Sequence, residues 1–320
     1  MPSAPRPLRK PDRGGGLRRG RGEGGLDGLP QWRWWAAPAA LALGLGLGGI
    51  GDLIVSIVGA ATGASTSHPP PAVTIVGNVV FDLGFVAAAV YIASLLGPLR
   101  AREFGLRRFS LVRVLWMLPL IAAAYFIGTA IYANVLGLNG REQLPSGLGS
   151  PSDTAAMIGV GIFVTVIAPI AEEFFFRGFI FGVLRSWLAS RQWGPWVAAL
   201  ITGLLFGAAH AGSAAAKYLV PLAYLGFLLC ILRWKTGSLY PGMALHSINN
   251  SLAFGIDELH WNAAKVVVMG LAALVVIGLV AGPLGWREPA ASGDGGAARG
   301  GSPPAPAPVA ETGSFAPPGR

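Results

Sequence analysis

The chain has 320 residues, of which 53% are hydrophobic and only 12% charged. A soluble domain carries about 25% charged residues, so this composition excludes an ordinary water-soluble globule. A single cysteine, Cys230, excludes a disulfide framework and a thiolate metal site. The net charge of +9 is gathered in tails and loops between apolar runs, which argues against nucleic acid as a partner.

Residues 1–31 are rich in Arg, Gly and Pro and read as a disordered basic tail. They make a poor signal peptide, because the charged region is too long and the apolar run behind it is too long and contains Asp52. The membrane domain follows over 32–284. Its apolar segments are Trp34–Ile57, Val73–Leu96, Val114–Leu136, Ala155–Arg185, Trp193–Ala211, Lys217–Leu232, Leu239–Phe254 and Ala263–Pro283. Several approach or exceed the roughly 20 residues that cross a bilayer as helix. The fold class is all-α: a polytopic integral membrane protein of about eight transmembrane helices with a polar site inside the bundle. The fourth segment is longer than a bilayer needs, so it is expected to tilt or to kink at Pro169. Residues 285–320, rich in Pro, Ala and Gly, read as a second disordered tail.

In the first segment, Gly44, Gly46, Gly48, Gly49 and Gly51 point to helix packing. Asp52 and Asp82 are expected at interfaces or in bonds between helices. Cys230 has no basic neighbour in sequence and reads as core packing. Twenty of the 24 Lys and Arg fall on one side of the eight segments; Arg141, Lys217 and Lys265 fall on the other, and Arg177 lies within the fourth. This bias places both termini in the cytoplasm, in a multi-pass protein of the cell membrane, with the loop around Asp257 and Glu258 outside.

Against that apolar background the polar residues stand out. Glu172, Glu173 and Arg177 lie in the fourth segment, His210 ends the fifth, and His246, Asn249 and Asn250 lie in the seventh. Ionisable groups at bilayer depth are rare and mark functional sites by default. Glu173 and Arg177 are one helical turn apart, acid before base, and form a local pair. Glu172 is rotated away and keeps no counter-ion in sequence, which suits a general base. His246 and Asn250 share a face and can donate to a developing oxyanion. His210 can hold a water beside Glu172. Hydrolysis of a carbonyl is the inferred chemistry, since no Ser, Cys or Thr stands beside these groups as an obvious nucleophile. The same order of segments puts Glu172 near the inner end of the fourth and His210 near the outer end of the fifth. A shared site then requires tilt, a kink or shifted boundaries.

Three stretches, Glu172-Glu173-Phe174-Phe175-Phe176-Arg177, Phe206-Gly207-Ala208-Ala209-His210 and His246-Ser247-Ile248-Asn249-Asn250, resemble the motifs of the CPBP intramembrane proteases. That group includes the type II CAAX prenyl endopeptidases and the Abi-like bacteriocin-processing or immunity membrane proteins. The resemblance covers about residues 152–252. It implies a glutamic endopeptidase without metal or other cofactor, in which Glu172 and His210 activate water and His246 and Asn250 form the oxyanion hole. It also implies that Glu173 and Arg177 support the site and that Phe206 belongs to the second motif. The expected partners are a peptide or membrane-protein substrate and the lipid bilayer. Three other functions fit the same residues: a non-catalytic scaffold or immunity protein, a zinc hydrolase using Glu172, His210 and His246, and a proton-coupled transporter. No internal repeat favours the last.

Overall fold

Apolar runs of this length leave the backbone no hydrogen-bonding partner but itself, and the helix is the local answer. The computed structural model describes residues 32–138 and 153–286, so most of both expected tails and Arg141 lie outside the described residues. The helices are α1 (Ala36–Ala61), α2 (Pro71–Leu96), the short α3 (Ala101–Phe104), α4 (Leu111–Val135), α5 (Thr154–Trp187), α6 (Gly194–Ala209), α7 (Ala216–Thr236), α8 (Tyr240–Leu252) and α9 (Ala263–Trp286). Local chemistry sets their ends. Ser110 accepts from the Arg113 amide at the start of α4, and Asp153 accepts from the amides of Ala155 and Ala156 at the start of α5. Gly237, at φ +74°, closes α7 in the left-handed conformation that a side chain disfavours.

Among the described residues, six helices are long and apolar enough to cross a membrane: α1, α2, α4, α5, α7 and α9. The protein is therefore an all-α polytopic membrane protein, and the expected count of eight is not confirmed. The helix α6 has only 16 residues. The helix α8 carries His246, Ser247, Asn249 and Asn250, which lower its hydropathy even though a π turn extends it through Glu258.

The helices α1 and α2 form a tight antiparallel pair. Their closest approach is at Gly48 and Gly84, where a Cβ on Gly84 would stand 2.5 Å from the Gly48 amide nitrogen. The other side of α2 runs parallel to α5. Ile75 packs against Gly159, and ten residues on, the Phe85 ring meets Phe175 with centroids 4.7 Å apart. The helices α5 and α6 form a hairpin around the turn at 188–193, and α7 lies against α6 through Gly203 and Gly226. Tyr224 of α7 donates to the Ala124 carbonyl of α4 at 3.1 Å, and Tyr240 of α8 donates to the Ala281 carbonyl of α9 at 2.9 Å. The core gathers on α5, α6 and α7, with Phe175, Phe179, Phe206, Leu225 and Leu229 fully buried. Leu115, Trp116, Val268 and Leu279 face outward, as lipid-facing residues do.

The Gly48–Gly84 crossing has a direct consequence. Gly84→Val forces α1 from α2 and is expected to cost about 1–3 kcal/mol, seen as a lower midpoint of thermal unfolding in detergent. Gly46→Ala, with nothing within 4 Å of the new methyl group, leaves the midpoint unchanged or higher.

Candidate active site

The site is built around an irregularity in α5. Between Phe163 and Ile167 the helix widens to a π turn, and the Ala168 amide bonds back to the Phe163 carbonyl. The Val164 carbonyl is thereby passed over. The next amide that could reach it belongs to Pro169, which has no N–H. Two side chains of α8 supply donors at this break: Asn250 Nδ2 donates to the Val164 carbonyl at 2.8 Å, and Ser247 Oγ to the Thr165 carbonyl at 2.6 Å. The disturbance expected at Pro169 is thus a widened turn just before it, and α8 docks on the carbonyls exposed there. Ser247 is an anchor for α8, a role that its position beside His246 in sequence does not reveal.

A second π segment, Glu173–Ile180, begins directly after Glu172. Such turns frequently sit at functional sites. Glu173 and Arg177 are both fully buried, with Oε1 and Nη1 2.9 Å apart. The Arg177 guanidinium also lies 4.1 Å from the centre of the Phe206 ring, close enough for a cation–π contact. Phe206 is itself fully buried, 4.7 Å from the His210 ring and 5.7 Å from the His246 ring, centre to centre. The three supporting residues expected from the sequence therefore form one buried assembly beneath the two histidines.

Each histidine is held through Nδ1. His210 Nδ1 is 2.8 Å from the Phe206 carbonyl, and His246 Nδ1 is 3.3 Å from Glu173 Oε1. A carbonyl and a carboxylate facing a guanidinium both accept, so both Nδ1 atoms carry the hydrogen. That leaves the Nε2 atoms free to face Glu172. His210 Nε2 is 3.9 Å from Glu172 Oε1, and His246 Nε2 is 3.6 Å from Glu172 Oε2. These separations exceed a direct hydrogen bond and suit bridging through water.

The depth conflict expected from the segment boundaries disappears in the α5–α6 hairpin. Glu172 lies fifteen residues before Trp187, and His210 lies sixteen after Gly194. At 1.5 Å per residue both stand roughly 22–24 Å from the turn. The expected ends of both segments agree with α5 and α6 to within about two residues; the hairpin itself, with α6 a short arm, brings His210 level with Glu172.

Glu172, His210, His246 and Asn250 all line one cavity of about 570 Å³, a volume typical of ligand sites. Glu172 and His210 are partly exposed within it, while His246 is buried. The cavity extends along α2, where Thr74, Asn78 and Asp82 recur at four-residue spacing, and reaches Asp52 of α1. Asp52 and Asp82, expected at interfaces or in bonds between helices, thus face the same space as Glu172. Cys230 is fully buried and does not line the cavity; Arg177 and Thr202 lie beside it in space although no basic residue adjoins it in sequence. Among the described residues, no three His, Cys, Asp or Glu side chains are grouped so as to hold a metal ion.

Residues 154–252 match the family model described as type II CAAX prenyl endopeptidase Rce1-like. An Escherichia coli protein, named only as an uncharacterized 24.3 kDa protein, is 30% identical over 135 residues, which are 42% of this chain and 60% of that protein. The UPF0177 protein YxdF of Lactococcus lactis subsp. lactis is 25% identical over 151 residues, 45% of this chain and 77% of its own length. The chain thus spans about three fifths of the first of these relatives. No solved structure matches the chain. The matched residues 154–252 carry both glutamates, both site histidines and Asn250, and the match to the Rce1-like type II CAAX prenyl endopeptidase model is consistent with the CPBP group.

Proposed function

We propose that the protein is an intramembrane glutamic endopeptidase that hydrolyses a peptide bond of a membrane-associated peptide or protein without a metal. One observation carries this reading: Glu172 stands between the Nε2 atoms of two histidines whose other nitrogens are already committed. An attacking water between Glu172 Oε1 and His210 Nε2 gives its proton to the carboxylate as its oxygen adds to the substrate carbonyl. The resulting oxyanion faces His246 and Asn250. Asn250 spends one amide hydrogen on the Val164 carbonyl and has a second to give. The Nδ1 hydrogen of His246 goes to Glu173, so a donation from Nε2 to the oxyanion requires a hydrogen on both ring nitrogens. Arg177 and Phe206 hold Glu173 and the histidines in place.

The distribution of Lys and Arg supports a cell-membrane protein with both termini in the cytoplasm. The partly apolar lining of the cavity, with Phe81, Phe85, Phe163 and Leu222, suits a peptide that carries apolar side chains.

Two comparisons test the reading. Membrane proteomes of cells expressing the wild type or Glu172→Ala are expected to differ in peptide termini that only the wild type produces, while both proteins insert to the same level. The purified wild type is expected to cut the same bond in the presence of EDTA. Identical termini would favour a scaffold, and activity lost to chelation and restored by zinc would overturn the metal-independent mechanism.

The two kinds of site residue separate in a second experiment. His210→Ala is expected to slow cleavage about 10²–10⁴-fold with little change in the thermal midpoint. Arg177→Met leaves Glu173 buried without its guanidinium, which costs about 3–5 kcal/mol, and lowers the midpoint as well as the rate.

A further inference from the structure

Peptide hydrolysis needs a proton on the departing nitrogen as well as a base for water. Glu172 Oε1 faces the Nε2 of His210, whose hydrogen is on Nδ1, so a proton gained from water has an acceptor beside it. A second carboxyl stands across the same cavity. Asp82 lies near the middle of α2, a mainly apolar helix of 26 residues, where an ionisable group is expensive unless it has a use. Its Oδ2 is buried and has no hydrogen-bond partner among the described residues. The packing sets its level: α2 and α5 run parallel, Phe85 meets Phe175, Asp82 precedes Phe85 by three residues, and Glu172 precedes Phe175 by three. Asp82 and Glu172 both line that cavity. Two carboxyls in one poorly solvated cavity do not both ionise, and such pairs divide into an acid and a base.

We propose that Asp82 is a second catalytic residue, the acid that protonates the leaving amine while Glu172 deprotonates water. This rests on the hydrolase reading above and extends it into α2, outside the Rce1-like segment at 154–252. In the first step the water oxygen bonds to the carbonyl carbon and one water proton passes to the Glu172 carboxylate. In the second, the carbon–nitrogen bond breaks and its electron pair takes the proton of the Asp82 acid. The products are a carboxylic acid and a free amine. The proton on Glu172 then returns to Asp82, directly or through water, and the pair is reset without any other reactant.

The test uses full-length protein in detergent and a matched pair of probes. One is a quenched fluorogenic peptide bearing a cleavage sequence recovered from the proteomic comparison. The other is its depsipeptide twin, with an ester in place of the scissile amide. An alkoxide leaves with far less need of a proton than an amine does. Asp82→Asn is expected to slow amide cleavage about 10²–10³-fold and to leave ester cleavage within about threefold of wild type. Asp82→Glu, which retains an acid, keeps more amide cleavage than Asp82→Asn. Equal loss on both probes, or no loss on either, overturns the assignment of Asp82 while leaving the hydrolase reading intact. A wild type that cleaves neither probe, and is indistinguishable from Glu172→Ala, overturns both.

Discussion

A guanidinium buried to zero exposure must be neutralised where it lies, and in this protein one carboxylate, one turn earlier, does so. The Glu173–Arg177 pair ties the site together because each member has a second contact. Glu173 receives the Nδ1 hydrogen of His246, and Arg177 lies over the ring of Phe206, whose carbonyl receives the Nδ1 hydrogen of His210. One buried ion pair thereby fixes the tautomer of one histidine directly and supports the residue that fixes the other. Both Nε2 atoms are turned toward Glu172 as a result. The two adjacent glutamates, alike in sequence, are unlike in structure: one is buried in the foundation, the other lines the cavity.

The second constraint is backbone supply. A helix that loses an amide hydrogen at proline strands a carbonyl, and inside a membrane protein a stranded carbonyl requires a donor. The π turn before Pro169 determines which carbonyls are exposed, and Asn250 and Ser247 answer them. This docks α8 at a fixed height on α5, so that His246 meets Glu173 one turn away. Pro169 thus acts on the site without touching it. The glycine crossing of α1 and α2 acts at a similar remove, since it lets α2 turn its polar positions toward the cavity.

How much of this was legible in the sequence depended on whether the signal was local. Glu173 with Arg177, and His246 with Asn250, are visible because helical spacing puts them on one face and because charge in an apolar run is conspicuous. His210 was visible as a rare residue at the end of such a run. The shared depth of Glu172 and His210 was not visible, because the excess length of the fourth segment shows in its hydropathy but the packing of a short partner against it does not. The π segments leave no mark in composition. Ser247 looked idle because its partner is a carbonyl 82 residues away. Asp82 looked like an isolated interfacial acid because what gives it meaning, the parallel packing of α2 on α5, is tertiary. The helices that leave the count of eight unconfirmed are α6 and α8, the short one and the polar one that carry His210, His246 and Asn250.

The central claim is that residues on three helices work as one catalytic unit around Glu172. Groups that act in the same step lose their separate effects once one of them is gone. The direct measurement is the cleavage rate of one fluorogenic peptide by purified Glu172→Gln, His210→Ala and the double variant, each shown to unfold at the wild-type midpoint. The account predicts a double variant no slower than the worse single variant. Losses that multiply, with each substitution slowing the other variant by the full factor it costs the wild type, would contradict it.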